Sequence, residues 1–187
     1  MNLSLIEGTV THLSVPQDLF SMMTSVQPYK QPLLVSKDIE MYNIETLKQV
    51  IQIMRTSKKP MIIAGIGARL ADSNIEELVE QWGAGLVTSL GAKGMVSETS
   101  VHMLGGIGEG GNPHASNILK QADVVLMIGT TWWPEEYVPI HTRVIQIEKH
   151  QANIAKGVQV EIGVMGHPNT IVPILIDGLK DYTKNQD

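Results

Sequence analysis

The chain contains no cysteine, which excludes disulfides, thiolate catalysis and any zinc site built on sulfur, and suits a reducing compartment. Aromatic residues make up 4%, with a single Phe, so there are few rings on which nucleobases could stack. With 19 acids against 14 bases the net charge is −5, and no basic field exists to neutralise phosphates along a nucleic acid. No segment approaches the ~20 continuous apolar residues of a membrane span. The opening MNLSLIEGTV lacks the basic start and long apolar run of a secretion signal. These absences lead us to expect a cytoplasmic protein whose partners are small ligands or other proteins, with no nucleic acid and no membrane span.

What is present is enough for one substantial core: 187 residues, 43% of them hydrophobic. MIIAGIGA (Met61 to Ala68), GLVTSL (Gly85 to Leu90), DVVLMIGT (Asp123 to Thr130) and RVIQIE (Arg143 to Glu148) are short apolar runs of the kind a parallel sheet buries on both faces. VQVEIGV (Val158 to Val164) alternates more and reads as an edge strand. Between them, Asn43 to Lys58 carries a one-faced stripe of Leu47, Val50, Ile51 and Met54, with Asn43 placed to cap a helix. Asp72 or Ser73 is expected to cap a second helix through Ile75, Leu78 and Val79. Asn112 and Pro113 open a third, and Pro168 begins a last one that must accommodate Pro173. Strands alternating with helices predict a doubly wound α/β fold, a mainly parallel six-stranded sheet with helices on both faces, Rossmann-like in type.

The start of the chain breaks that rhythm. EGTVTHLSVPQDLF (Glu7 to Phe20) offers one strand-like run ending at Val15 and Pro16, followed by a polar, proline-containing linker. We expect residues 1–36 to be the end of another domain plus a linker, 37–183 the α/β domain, and 184–187 a tail.

In such sheets ligands bind beyond the carboxyl ends of the strands. Two loops fall there, Gly65 to Arg69 and Gly129 to Tyr137, with Lys93 in a neighbouring loop offering a positive charge. The Gly65-Ile66-Gly67 turn departs from the dinucleotide fingerprint, because Leu70 stands at its third small position and no acid ends the next strand. Ordinary NAD binding is therefore not expected. The glycine-rich GGIGEGG (Gly105 to Gly111) leads into the Asn112-Pro113 helix start and reads as a connection able to cradle an anion. The six histidines show no metal-ligand spacing, Glu135 and Glu136 are adjacent loop acids, and neither a GxSxG elbow nor a P-loop occurs. The residues describe a binding scaffold with no catalytic constellation and no metal site.

Several of these stretches together resemble the central domain of thiamine diphosphate-dependent enzymes, the family of pyruvate oxidase, acetohydroxyacid synthase and oxalyl-CoA decarboxylase. They are KPMIIAGIGAR (Lys59 to Arg69), TSLGAKGMV (Thr88 to Val96), QADVVLMIGTTW (Gln121 to Trp132) and VIQIE (Val144 to Glu148), in matching order and spacing. The opening segment is similar to the end of the pyrimidine-binding domain that precedes it in that family. The resemblance implies a nucleotide-binding middle domain of a 2-oxo acid-processing enzyme. Thiamine diphosphate and Mg would be held by the flanking pyrimidine- and diphosphate-binding domains, in a homo-oligomer, and the chain alone would be inactive. A free-standing adenine-nucleotide or flavin-binding module of the same fold is the alternative.

Carried over by position, the resemblance puts Gly65, Gly67, Ala68 and Arg69 near the diphosphate or ribitol of a bound FAD or ADP. Ser89 and Lys93 would line the next loop, and Gly129, Thr130 and Thr131 would face the nucleotide from the other side. Glu148 would hold the adenosine end. Flavin-binding relatives carry further acids where this chain has His150 and His167. A charged acceptor there contributes about 1.5–3 kcal/mol, so FAD, another adenine nucleotide and an empty structural domain all stay open. Trp132, Trp133 and Pro134 would pack on a flavin ring or against neighbouring domains, with at least one indole exposed.

Overall fold

The computed structural model describes residues 10–27, 42–131, 133 and 141–182, the side chains of Leu70, Asp72 and Ser73 excepted. The chain divides into two units, Met1–Ile39 and Glu40–Asp187. In the first, the described residues hold one short 3-10 helix, Gln17–Ser21, entered through Pro16. Val10 to Val15, expected to form a strand, pairs with no other strand among the described residues. Val10, Leu13, Phe20 and Met23 are exposed.

The second unit is built on six parallel strands: β1 (Pro60–Ala64), β2 (Gly85–Thr88), β3 (Met103–Gly106), β4 (Val124–Ile128), β5 (Arg143–Glu148) and β6 (Ile162–Met165). They lie in the order β3-β2-β1-β4-β5-β6. The central strands β1 and β4 are buried at every position, as their unbroken apolar runs require of a sheet covered on both sides. Helices α1 (Ile44–Thr56), α2 (Asp72–Trp82), α3 (Pro113–Leu119) and α4 (Pro168–Gly178) complete the doubly wound α/β fold.

The period of two along each strand sorts the core. Ile62, Ala64, Leu86, Leu126, Ile128, Ile145 and Ile147 face α1, α2 and α4. Met61, Ile63, Val87, Val125, Met127 and Val144 face α3, Ile107 and Trp133. Each such valine, leucine, isoleucine or methionine taken fully from water contributes about 1.5–3 kcal/mol. Trp82, at the end of α2, is the largest fully buried side chain among the described residues; its Nε1 donates to the carbonyl of Met54 at 2.9 Å and to Ser57 Oγ at 3.0 Å.

Local signals set the helix starts. Asn43 Oδ1 accepts from the amide of Glu45, and Asn112 Oδ1 from that of His114, with Pro113 in the first helical position. The second helix differs from expectation. Ala71 holds its cap position, because a 3-10 helix, Ile66–Ala71, leads straight into Asp72. α4 runs through Pro173, whose missing N–H would have met the carbonyl of Asn169; both residues are exposed, so water can serve that carbonyl. At the end of α4, Arg55 from α1 donates through Nε and Nη2 to the carbonyl of Gly178 at 3.1 and 2.7 Å.

Two elements near the sheet edges depart from the sequence reading. β3 occupies the first part of what read as a glycine-rich connection, and a register shift opposite Leu86 and Val87 accommodates it. β6 begins only at Ile162. The preceding Val158 and Val160 pack on the second sheet face instead, where the β5 to β6 crossover carries a short 3-10 turn, Gln151–Asn153, and no α-helix.

Candidate functional site

Strand order reverses between β1 and β4, so a crevice is expected at their carboxyl ends. The loops that follow these strands do meet there. The amide of Gly65 donates to the carbonyl of Ile128 at 2.9 Å, and that of Gly67 to the carbonyl of Gly129 at 3.0 Å. Gly129 has φ +59°, a left-handed conformation that favours glycine. A Cβ on Gly67 would lie 3.0 Å from Gly129 Cα, and one on Gly65 would overlap the Gly129 carbonyl and Thr130. These glycines let one loop lie directly on the other.

That seam uses the groups a phosphate would need. The amide of Ala68 donates to the carbonyl of Gly65 at 3.0 Å, so the amides of Gly65, Gly67 and Ala68 all bond to protein carbonyls. Ala68 and Thr130 are buried, Thr131 is half-buried, and Gly67 and Arg69 are exposed.

Open space lies one strand further out. A cleft of about 1360 Å³ sits beyond the ends of β2 and β3, lined by Thr88 to Gly91, Lys93, Glu98, Gly105 to Asn112, Trp133 and Gly157. Ser89 and Lys93 stand on its wall; Gly65, Gly67, Ala68, Arg69, Gly129, Thr130, Thr131 and Glu148 do not line it.

The glycine-rich wall is shaped by its own backbone. Gly105 and Gly108 both have φ +105°, and the amide of Asn112 donates to the carbonyl of Gly106 at 2.8 Å. Asn112 Nδ2 donates to the carbonyl of Leu104 at 2.9 Å while its Oδ1 caps α3. Among the described residues that line it, the cleft presents one cation, Lys93, against two carboxylates, Glu98 and Glu109, together with Ser89.

Trp133 is 2% exposed and packs in the second core face as well as lining the cleft; its Nε1 has no acceptor among the described residues. The expected exposed indole is therefore not Trp133. Trp132 and Pro134 lie outside the described residues, as do Glu135, Glu136 and Tyr137.

At the end of β5, Glu148 is buried, and its Oε1 accepts from the amides of Lys149 and His150 at 3.0 and 3.3 Å. One oxygen of the expected adenosine-binding acid is thus held by its own loop. His167 is the N-cap of α4, its Nδ1 accepting from the amide of Asn169 at 3.3 Å. Two positions before Glu148, the buried Gln146 bonds to three main-chain groups of two loops. Sequence reasoning passed over it. The available signal was an amide between the apolar residues Val144, Ile145 and Ile147 of a buried strand.

Among the described residues no three His, Asp or Glu side chains converge as metal ligands. The shifted ion pair, Arg143 with Glu161, lies at the amino end of β5, away from the cleft. The guanidinium hydrogen-bonded to it holds the Glu161 carboxyl below the usual carboxylate range, and slight burial works the other way. No described helix is long and apolar enough to cross a membrane.

The family model for the central domain of thiamine pyrophosphate enzymes matches residues 47–175. YdaP of Bacillus subtilis, whose name describes it as thiamine pyrophosphate-containing, is 32% identical over 83% of this chain and 27% of its own length. The pyruvate oxidase of Lactiplantibacillus plantarum is 31% identical over 58% of this chain and 17% of its own. The acetolactate synthase large subunit of Buchnera aphidicola is 29% identical over 86% of this chain and 30% of its own. The chain thus spans less than a third of the length of these relatives. An X-ray structure described as that of a thiamin diphosphate-dependent enzyme from Mycobacterium smegmatis shares the fold, with a TM-score of 0.64 at 20% identity over 79% of this chain and 29% of that one.

Proposed function

Because the chain belongs to the family of thiamine pyrophosphate enzyme central domains, we propose that it is the nucleotide-binding middle domain of a 2-oxo acid-processing enzyme of pyruvate oxidase or acetolactate synthase type. It has no turnover of its own. The flanking pyrimidine- and diphosphate-binding domains of a longer polypeptide supply the thiamine diphosphate and Mg sites, and the whole works as a cytoplasmic homo-oligomer. The length of the relatives favours this reading over a free-standing module.

Thiamine diphosphate itself does not fit this chain. The sequence has no Gly-Asp-Gly, and among the described residues no carboxylates converge to hold the metal that would bridge its diphosphate. No step through that cofactor is assigned to these residues.

The observation that carries nucleotide binding is the cleft at the carboxyl ends of β2 and β3, with Ser89 and Lys93 on its wall. FAD or ADP is the proposed ligand. Lys93 would face a phosphate and Ser89 a phosphate or ribityl oxygen, while the glycine-rich wall admits the ligand backbone closely. Bound flavin supplies redox chemistry; the residues of this chain bind and orient it. Glu98 and Glu109 would accept from hydroxyls, and they make the site unfavourable for a diphosphate anywhere but beside Lys93. Gly67 and Arg69, exposed at the neighbouring seam, and Thr131 beyond it, would meet the ligand where it leaves the cleft.

The test is titration of the purified full-length protein with FAD, ADP and coenzyme A. Flavin absorbance on purification, or a thermal shift saturating with one of the three, supports the reading. A colourless protein unmoved by all of them leaves only a structural role.

A further inference from the structure

We infer that Gln146 is a positioning residue for the part of the cleft wall formed by Trp133 and Gly157, an inference that rests on reading the cleft as the nucleotide site. Its side chain is 1% exposed and is not among the residues that line the cleft. Its amide nitrogen donates to the carbonyls of Thr130 and Asn153, both at 3.1 Å, and its Oε1 accepts from the amide of Ala155 at 2.8 Å.

Thr130 lies three residues before Trp133, and Ala155 two before Gly157; Trp133 and Gly157 are the cleft's lining from the loops that follow β4 and β5. One side chain therefore ties together the two segments that deliver that wall. The segments also touch directly, since a Cβ on Gly157 would come within 2.6 Å of the Thr131 carbonyl.

The chemistry of the position is specific. Two carbonyls and one N–H converge on it, and a primary amide of this length supplies two donors and one acceptor. Glutamate, of nearly the same shape, would place a carboxylate oxygen against two carbonyls. Ala155, with φ +59°, is the one non-glycine residue with positive φ among the described residues. That conformation is unfavourable for a residue with a Cβ, and the bond to Gln146 helps to hold it.

The experiment compares Gln146→Glu and Gln146→Met with wild type in the full-length protein. A control, Ile53→Val in α1, lowers overall stability away from the cleft. Two quantities are read: FAD and ADP dissociation constants, and hydrogen exchange of individual amides. Both Gln146 variants are expected to weaken binding at least tenfold and to lose protection at residues 129–131 and 153–157. Protection in β1 and α2 should persist, and the control should bind as wild type. Wild-type affinity in Gln146→Met, an equal loss in the control, or failure of both Gln146 variants to fold would each overturn the proposal. Should wild type bind neither nucleotide, the nucleotide reading fails by itself. The exchange data then decide on Gln146 alone: loss confined to the two loops upholds its positioning role, and unchanged protection removes it.

Discussion

The amide of Gly67 donates to the carbonyl of Gly129 at 3.0 Å, joining the loop after β1 to the loop after β4 where the strand order turns back. In a doubly wound sheet that meeting point is where a ligand's phosphates ordinarily approach the backbone. Here backbone meets backbone, and the open volume lies beyond the neighbouring strands β2 and β3. The glycines are needed in either arrangement, so their presence alone does not report a ligand.

Replacing Gly65 by alanine should separate packing from conformational freedom. The new Cβ would strike the Gly129 carbonyl and Thr130, both parts of a buried seam. We expect a loss of about 1–3 kcal/mol, typical of overpacking. Gly94, at φ +78° with nothing within 4 Å of an added Cβ, pays only the left-handed conformation. Gly94→Ala should cost about 1–2 kcal/mol without disturbing its neighbours. Urea denaturation gives both losses, and exchange at residues 128–131 should respond to Gly65→Ala alone.

Trp82→Phe removes the indole N–H from Met54 and Ser57 while keeping most of the buried ring. The Met54 carbonyl still accepts from Ser57 Oγ at 2.7 Å, which limits the damage. A loss of about 1–2 kcal/mol follows, or roughly 2–8 °C in Tm for a chain of this size. An unchanged Tm would mean that these bonds contribute nothing net.

Arg143 and Glu161 give a pH signature of known sign. The folded carboxyl titrates below its unfolded counterpart, mainly through the hydrogen bond from Arg143. The pair therefore stabilises fully above the ordinary glutamate range, about pH 4.3, and the contribution disappears as pH falls through the lowered folded value. With side chains 46% and 43% exposed, solvent screening holds the effect to about 1 kcal/mol or less. Wild type should exceed Glu161→Gln by up to that amount at pH 7, and the gap should narrow near pH 3 and in high salt. A gap that widens on acidification would contradict the assignment.

Charge on the cleft wall gives a pair of opposite outcomes. Lys93→Met should weaken nucleotide binding by about ten- to a hundredfold, the range of one lost charged contact. Glu109→Gln removes a like charge from the same cleft and should tighten it, by a smaller factor. Calorimetric titration of the two variants reads both, and equal affinities in the two would place the ligand elsewhere.

The sheet was largely legible because its central strands are short, unbroken apolar runs of the kind a parallel sheet buries on both faces. β1, β4 and β5 announce themselves in this way; β3 does not. Met103 and Leu104 are followed by two glycines, and that pattern carries the signature of a loop while the backbone pairs with β2. Lys93 was readable as a site candidate from its place in a loop after a strand, and Ser89 only through the family resemblance. Gln146 was not, because its role depends on which carbonyls come within reach of a strand position once two distant loops have folded over it. The burial of Trp133 was hidden for the same reason: nothing local says whether a loop indole turns outward or joins the core on the second sheet face.

The clamp from Arg55 to Gly178 has a topological consequence. Gly178 also lies against Ile51, and about 10 Å of helix rise separates Ile51 from Ile44 at the start of α1. The first and last helices of the sheet unit therefore begin and finish within roughly 20 Å of one another. About six extended residues could join them. The elements thus form a nearly closed ring in space, and their order along a gene could be rotated, opening the ring at an exposed turn such as Gly94, without moving any of them within the fold.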